Sequence, residues 1–392
     1  MTQAQLQAAI DAAFAGTGPF KIAVPDGRIV LTSSLYLKSN ADHPVTLYGE
    51  GPNSELYDGV GNMSMLQLAD AEFFTVHNLG FVGQGTLGVA GRAAIKGDAG
   101  SSFNARDGMI SNCWVRDVGT CGIGFHGAHR VHVVGCYIQG TKEHGVYLSE
   151  CVDCIVCDTT ILESGSIGSG GQCGIKIADC GRCLAAANVI ILPEHEGILF
   201  EGAGSKNDCW DCIAAGNVVR DCPQRNVRFN AGSRRNSALA NLLVNPTTQS
   251  IRLLGGQFNS ILGNVIDRGA SADTMVLVDV AAEDARIARN TVISSSAITN
   301  NGVRTILSDN RTSAGGSAGD QAEVDGAMQA VVAAIRPVRD AASQLITPTW
   351  QAHVAARRLY SQLATGSATA DADTAAAIAS LVARWRSVGL VL

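Results

Sequence analysis

Charged and aromatic side chains recur at one position of a repeated strand pattern between residues 122 and 254. In GIKI at 174–177, Ile175 and Ile177 suit a buried face, so the alternation of a β-strand turns Lys176 towards solvent. The corresponding strands of the neighbouring repeats also turn side chains outwards, and these side chains form two columns that run from repeat to repeat. The first column is Tyr147, Lys176, Leu199, Arg228 and Arg252, and the second is His126, Ser149, Ala178, Glu201, Asn230 and Leu254.

One chemistry that such a face could support is the cleavage of a uronic acid polymer by β-elimination. Cations would neutralise the sugar carboxylate and acidify the neighbouring C–H, and a side chain of suitable pKa would remove the proton. Lys176, Arg228 and Arg252 are the candidate cations, and His126 or Tyr147 could serve as base.

A glycosidase is the other candidate chemistry, and it needs two carboxyl groups about 5–10 Å apart. Glu201 and Glu196 form the most plausible pair within one repeat. We expect the insertions at 164–172 and 192–196 to overhang the strand face and to make a groove. His195 and Glu196 would lie at its lip, and His144 would take the corresponding place in an earlier repeat.

The candidate roles are therefore divided between catalysis and substrate binding. Glu201, Glu196, Lys176 and His126 are the catalytic candidates. The predicted substrate-binding residues are Tyr147, Arg228, Arg252, Asn230, His144 and His195. A plain alternative stays open, because outward residues of any sheet are charged for solubility and can form cross-strand ladders. No metal and no cofactor is expected.

These positions rest on a repeat of 23 to 29 residues. The repeats are aligned on a small polar residue, the N of the pattern xxxNhh, in which x is any residue and h is hydrophobic. The numbers of residues between successive aligned positions are 23, 23, 29, 29, 24, 23 and 26. The aligned residues are Cys113, Cys136, Thr159, Asn188, Asn217, Asn241, Asn264 and Asn290. No repeat has enough apolar residues for a core of its own, so stacked repeats must share one. The pattern predicts a parallel β-helix, in which each turn adds a strand to two or three sheets.

The turn asparagines and the Cys-x-x-Cys pairs both fit this stacking. Asn tolerates left-handed backbone and can hydrogen-bond the Asn of the next turn. Three Cys-x-x-Cys pairs, at 151–154, 180–183 and 209–212, follow the 29-residue step. We interpret them as a ladder of buried thiols, with tetrahedral zinc as the alternative.

Composition limits the classes of function. The net charge of −6 does not indicate nucleic-acid binding, and no apolar stretch is long enough for a membrane span. The N-terminus lacks the features of a secretory signal, and 12 Cys then favour reduced thiols, so we expect synthesis in the cytoplasm.

The chain is predicted to have four parts. Residues 1–20 form an N-terminal capping helix, 21–312 the β-helix, 313–320 a linker, and 321–392 a small α-helical unit for oligomerisation or attachment. In the last part, Val324, Met328, Val331, Ile335 and Val338 recur four and three apart, and Pro337 interrupts the run. A three-helix unit within one chain and a coiled segment shared between chains are both compatible with this pattern.

The opening of the chain resembles a known superfamily. An amphipathic segment at 6–14, VPDG at 24–27 and TLYGEG at 46–51 are similar to the start of pectate-lyase-like right-handed parallel β-helix proteins. That superfamily includes polysaccharide lyases, hydrolases, epimerases and phage tailspikes. The catalytic signatures of its pectate lyases, polygalacturonases and epimerases are missing, so the resemblance assigns no catalytic residue.

The resemblance implies a spike-like protein that binds a cell-surface or capsular polysaccharide. A homotrimer and association with a phage-like particle through the C-terminal helices would fit that class. The alternatives are a lyase or glycoside hydrolase acting on an anionic polysaccharide, and a non-catalytic structural connector whose outward columns would be subunit contacts.

Overall fold

The computed structural model describes residues 1–18, 20–61, 63–68, 71–85, 92–97, 105–165, 172–202, 208–268, 273–293 and 298–313. These residues form one short helix followed by strands that coil into a parallel β-helix. Every paired strand among them runs parallel to its neighbour, and each turn of the coil adds one strand to each of three long sheets. The predicted C-terminal helical unit, 321–392, lies outside the described residues.

The N-terminal helix spans Gln3–Phe14. Thr2 caps it, because its hydroxyl accepts the backbone N–H of Gln5 while the Gln5 side chain accepts the N–H of Thr2. Leu6, Ile10 and Ala13 are fully buried against the first turn of the coil. The helix therefore covers the first edge of the stack, as predicted.

Sheets 1 and 2 each contain twelve described strands. Sheet 1 consists of Lys21–Ala23, Thr46–Tyr48, Thr75–His77, Arg106–Ser111, His129–Val134, Ile155–Cys157, Leu184–Ala186, Ile213–Ala215, Ser237–Leu239, Ser260–Leu262, Arg286–Ala288 and Ile306–Ser308. Sheet 2 consists of Gly27–Leu31, Ser54–Asp58, Gly80–Val82, Trp114–Arg116, Tyr137–Gln139, Thr160–Leu162, Val189–Ile191, Val218–Arg220, Leu242–Val244, Val265–Asp267, Thr291–Ile293 and Arg311–Ser313.

Sheets 3 and 4 complete the coil. Sheet 3 consists of Leu35–Tyr36, Leu66–Gln67, Ala93–Gly97, Cys121–His126, Val146–Ser149, Cys173–Ala178, Glu196–Glu201, Arg225–Phe229, Ile251–Leu253, Val276–Val278 and Ile298–Asn300. Sheet 4 is short, lies between sheets 3 and 1, and consists of Cys209–Trp210, Ser233–Arg234, Gly256–Gln257 and Ala282–Glu283. Aliphatic and aromatic side chains from all turns meet in one continuous core along the axis.

A ladder of asparagines joins the turns at the corner between sheets 1 and 2. The backbone N–H and side-chain amide of Asn188 both donate to Oδ1 of Asn217, at 3.0 Å each. Asn217 donates in the same way to Asn241, and all three residues are fully buried. The left-handed residue is the one before each asparagine, such as Ala187 with φ of 54°, so the expectation that Asn itself takes that backbone is wrong.

We expect that replacing Asn217 by Ala lowers the free energy of unfolding by at least about 3 kcal/mol. The change leaves the backbone N–H and side-chain amide of Asn188 and the carbonyl of Ala185 without their partner in a buried corner. Urea denaturation followed by circular dichroism measures the loss, and Asn53→Ala at an exposed asparagine is the control. Equal midpoints for the two variants would contradict a supporting role for the ladder.

The Cys-x-x-Cys pairs form two buried columns, which confirms the predicted thiol ladder. The backbone N–H of Cys151 donates to Sγ of Cys180 at 3.2 Å, and that of Cys183 donates to Sγ of Cys212 at 3.3 Å. The second column continues as asparagines, because the N–H of Cys212 donates to Oδ1 of Asn236 at 2.8 Å. Burial raises the pKa of the Cys151 and Cys180 thiols, which keeps them protonated. Within the described residues, no three His, Cys, Asp or Glu are arranged to hold a metal ion.

Opposite charges alternate on the outside of the corner where sheet 1 begins. Four aspartates at this corner, all in left-handed conformation, each accept two hydrogen bonds from a left-handed arginine in the next turn, with Nε–Oδ1 distances of 2.5 to 2.8 Å. The four pairs are Asp107–Arg130, Asp153–Arg182, Asp211–Arg235 and Asp284–Arg304. The charges at this corner therefore neutralise one another along the stack.

No helix among the described residues is long and apolar enough to cross a bilayer.

Candidate functional site

Sheet 3 carries the predicted first column on its outer face. The strand register places Tyr147 beside Lys176, Lys176 beside Leu199, Leu199 beside Arg228, and Arg228 beside Arg252. The neighbours of Lys176 on its strand, Ile175 and Ile177, are fully buried in the core. The prediction of which side chains point to the core and which point outwards is therefore confirmed for these strands.

The second column is also present, and it meets the first through an ion pair. Nζ of Lys176 lies 2.6 Å from Oε2 of Glu201, which comes from the adjacent strand. The side-chain amide of Asn230 donates to the other oxygen of Glu201 at 3.1 Å. Lys176 also lies over the ring of Tyr147, with Nζ 5.6 Å from the ring centroid. Lys176, Glu201, Asn230 and Tyr147 thus form one cluster.

The ionisation of Lys176 follows from this cluster. Burial lowers the pKa of the amine, but the hydrogen bond and the charge of Glu201 outweigh burial, so the pKa is raised. The amine is a cation at neutral pH. Burial also raises the pKa of the neighbouring Tyr147 phenol, which stays protonated. Neither group is poised as a base in this arrangement.

Glu196 does not lie at the lip of a groove, so its predicted placement is wrong. It is the first residue of the strand Glu196–Glu201, where it pairs with Cys173 and Arg225 of the neighbouring strands, and it is fully buried. Its Oε1 accepts from Nη1 of Arg228 at 2.9 Å and from Nη1 of Arg225 at 3.2 Å. Two guanidinium groups therefore share one buried carboxylate, an arrangement that does not suit a glycosidase acid or nucleophile.

Arg225 was not among the predicted site residues. It follows Glu196 by one 29-residue step and is largely buried, with a side-chain exposure of 12% against 23% for Arg228. Burial and the charge of Arg228 lower the pKa of Arg225 despite the opposing effect of Glu196. Asp279 was also missed, and its carboxylate lies 2.7 Å from Nε of Arg252.

The histidines occupy three separate places. His126 begins the second column, three turns from Glu201, or about 14 Å at the spacing of neighbouring strands. Its Nδ1 lies 3.2 Å from Oγ of Ser149. The structure therefore does not bring His126 to Glu201. His195 lies next to Gln224, whose amide nitrogen is 2.6 Å from Nδ1.

His144 is the histidine that lies closest to the Lys176 cluster. Its ring centroid is 5.1 Å from that of Tyr147, and its Nδ1 accepts the backbone N–H of Cys173 at 3.0 Å. Because Nδ1 is occupied as an acceptor, the neutral ring carries its proton on Nε2. Burial, reinforced by the charge of Lys176, lowers the pKa of His144 to about 3.

We expect His144 to stay neutral well below the pH at which free histidine protonates. The neutral form is favoured only in the folded protein, so the stability that it contributes is present above pH 6.5 and is lost as the pH falls towards about 3. The stability of the wild type should fall more steeply over this window than that of His144→Asn, whose amide oxygen can still accept the Cys173 N–H. Urea midpoints at several pH values measure the difference, and parallel curves would contradict the assignment.

The comparisons with known proteins concern the fold. A family model described as "Right handed beta helix region" matches residues 91–208. No curated protein matches the sequence of this chain.

Solved structures with a similar fold include the A-module of mannuronan C-5 epimerase AlgE4 from Azotobacter vinelandii. It is 20% identical with a TM-score of 0.64, over 79% of this chain and 91% of that one. A mannuronic acid specific family 6 lyase from human gut microbiota is 14% identical with a TM-score of 0.59, over 82% of both chains. The Dettilon tailspike is 14% identical with a TM-score of 0.53, over 78% of this chain and 64% of the tailspike. At these identities the likeness is one of fold.

Proposed function

We propose that this chain, which has the right-handed parallel β-helix fold of the pectate-lyase-like superfamily, binds an anionic polysaccharide along the outer face of sheet 3. The observation that carries the proposal is the pair of arginines on one buried carboxylate. Arg225 and Arg228 bring two positive charges to the single negative charge of Glu196, which leaves one positive charge in excess. The Arg228 side chain is 23% exposed and can then meet a carboxylate of the polymer.

Two further cations lie on the same column, each paired with a carboxylate: Lys176 with Glu201 and Arg252 with Asp279. Arg252 lies one turn beyond Arg228, about 4.8 Å away along the stack, and Lys176 lies two turns before it. Tyr147 adds an aromatic ring at the end of the row, on which the apolar face of a sugar could stack. An elongated acidic polymer fits this row better than a compact ligand would.

The protonation states and hydrogen bonds of the site's side chains favour binding over catalysis. A uronic acid lyase needs a base, whereas Lys176 is protonated, Tyr147 is protonated, and Nδ1 of His144 already accepts a backbone hydrogen bond. Glu201 is held by Lys176 and Asn230, and Glu196 is buried between two arginines. We therefore propose substrate-binding roles for Tyr147, Lys176, Arg228, Arg252 and the Glu201–Asn230 pair.

Incubation with immobilised polysaccharides tests the proposal. Polymannuronate and polygalacturonate supply the acidic polymers, and dextran is the uncharged control. We expect retention on the acidic polymers that weakens as salt is added, since exposed charges are screened over about 10 Å at 0.1 M. New ultraviolet absorbance from unsaturated sugar ends would instead indicate a lyase, and new reducing ends without it a hydrolase. Absence of retention on every polymer would favour a structural connector.

The homotrimer and attachment to a phage-like particle remain predictions from the sequence, since the residues assigned to them, 321–392, lie outside the described part of the chain. Light scattering of the full chain tests the trimer, and a monomer at micromolar concentration would contradict it.

A further inference from the structure

The excess positive charge on the outer face of sheet 3 is confined to one level of the stack. Arg225 and Arg228 share the carboxylate of Glu196, with Nη1–Oε1 distances of 3.2 and 2.9 Å. Along the column from Tyr147 to Arg252, this is the one place among the described residues where the cations of an ion pair outnumber the carboxylates. A single carboxylate of a ligand is enough to neutralise it.

The levels on either side already hold one carboxylate for each cation. Lys176 lies two turns before Arg228 and pairs with Glu201 at 2.6 Å, and Arg252 lies one turn after it and pairs with Asp279 at 2.7 Å. The two carboxylates are 33% and 23% exposed, so a ligand at these levels meets both signs of charge. A second sugar carboxylate placed there would face a like charge, which weakens binding.

The end of the row at Tyr147 also disfavours a ligand carboxylate. Glu143 lies at the corner before the strand Val146–Ser149, and its Oε2 accepts a hydrogen bond from the Cys121 thiol at 3.3 Å. Burial raises the pKa of Glu143, an effect that this hydrogen bond and the charge of Lys176 oppose. The Tyr147 ring offers an apolar surface beside this carboxyl group, so an uncharged sugar fits the level better than a uronic acid.

We propose, on the basis of the binding function proposed above, that the ligand is a heteropolysaccharide with isolated carboxylates, each flanked by uncharged sugars. The carboxylate lies at Arg228. Hydroxyl groups of the neighbouring sugars meet the ion pairs on either side, Lys176 with Glu201 and Arg252 with Asp279. Each pair offers a hydrogen-bond donor and an acceptor, and a hydroxyl group can use both.

The length of the row sets the expected charge density of the polymer. From Tyr147 to Arg252 the column covers four strand spacings, or about 19 Å. A sugar ring in an extended chain is about as long as one such spacing, so roughly four rings cover the row. A polymer with one uronic acid in roughly four sugars therefore matches the row, whereas a homopolymer of uronic acid would place a carboxylate at each level.

Polymannuronate of graded charge tests the proposal with the full chain. Carbodiimide activation followed by borohydride reduction converts sugar carboxyl groups to primary alcohols on the same backbone. Three samples are compared by affinity electrophoresis at constant ionic strength: the unreduced polymer, a polymer with most carboxyl groups reduced, and a fully reduced polymer. We expect the mostly reduced polymer to bind roughly tenfold more tightly than either of the others.

Two substitutions should change this preference. Glu201→Gln and Asp279→Asn each free a cation on the column, so each should strengthen binding of the unreduced polymer roughly tenfold and leave binding of the mostly reduced polymer within about twofold. Asp211→Asn is the matched control. Asp211 is 20% exposed against 23% for Asp279 and also pairs with an arginine, but it lies on the corner beside sheet 1, so its replacement should change neither affinity.

The possible outcomes separate this proposal from the binding function on which it rests. Tightest binding of the unreduced polymer by the wild type would overturn the proposal and leave the binding function intact. No gain in affinity for the unreduced polymer in either Glu201→Gln or Asp279→Asn would overturn it as well. Absence of retention on all three samples would instead refute the binding function, and the proposal with it.

Discussion

Replacing Arg228 by Gln is expected to weaken binding of an acidic polysaccharide by roughly 10- to 100-fold, the range that follows from losing one charge-assisted hydrogen bond. The substitution removes the partly exposed cation that the shared carboxylate of Glu196 leaves in excess, while Arg225 still pairs with Glu196. Affinity electrophoresis in gels containing polymannuronate or polygalacturonate measures the change.

Arg182→Gln is the matched control for this experiment. Arg182 has a side-chain exposure of 24%, close to the 23% of Arg228, and it also pairs with a carboxylate, but it lies on the corner beside sheet 1. Its replacement should leave retention on the polymer unchanged. If both variants lost affinity to the same extent, the effect would come from overall charge or stability, and the assignment to sheet 3 would fail.

Replacing Glu196 by Gln is expected to lower the free energy of unfolding by about 3–5 kcal/mol. The change leaves two guanidinium groups, both mostly buried, with no carboxylate between them. Glu201→Gln removes a carboxylate that is 33% exposed and paired with Lys176, and it should cost about 1 kcal/mol or less. Urea denaturation followed by circular dichroism compares the two variants.

A double variant tests whether the destabilisation of Glu196→Gln comes from the charge that Arg228 is left with. Glu196→Gln combined with Arg228→Gln removes one charge of each sign, so it should be more stable than Glu196→Gln alone. Additive losses in the double variant would show that Arg228 and Glu196 do not interact, contrary to the hydrogen bond of 2.9 Å.

The fold could be predicted because its determinants repeat. A β-helix places equivalent residues one above the other, so the step of 23 to 29 residues determines which residues pair between neighbouring strands. The aliphatic residues at alternate positions determine which side chains point to the core. Those two features were enough to place Lys176 beside Leu199 and Arg228 beside Arg252. The N-terminal helix was predicted from the resemblance to the β-helix superfamily, and the structure shows it with Leu6, Ile10 and Ala13 buried.

The errors occur where a strand meets its corner. The predicted insertion at 192–196 includes Glu196, whereas strand pairing already begins at this residue, which is buried. Periodicity alone cannot tell a buried ion pair from an exposed loop, because both read as charged residues before a strand. The 29-residue step from Glu196 to Arg225 was the available signal, as was the alternation of Asp and Arg at the outer corner.

The sequence predicted which sheet face carries the candidate site, but not the side-chain contacts within the site. Side-chain pairing such as Arg252 with Asp279 depends on rotamers and on neighbours in other turns, which the repeat does not specify. The separation of His126 from Glu201 follows from counting turns, but the position of His144 against Tyr147 depends on the path of the corner before the strand.

Hydroxyl-radical footprinting with and without polymannuronate tests the central proposal most directly. Tyr147 lies on the outer face of sheet 3, whereas Tyr137 and Trp114 lie at equivalent half-buried positions on sheet 2. Binding along sheet 3 predicts slower oxidation of Tyr147 in the presence of the polymer and unchanged rates for Tyr137 and Trp114. Protection of the sheet 2 residues with none at Tyr147 would contradict it.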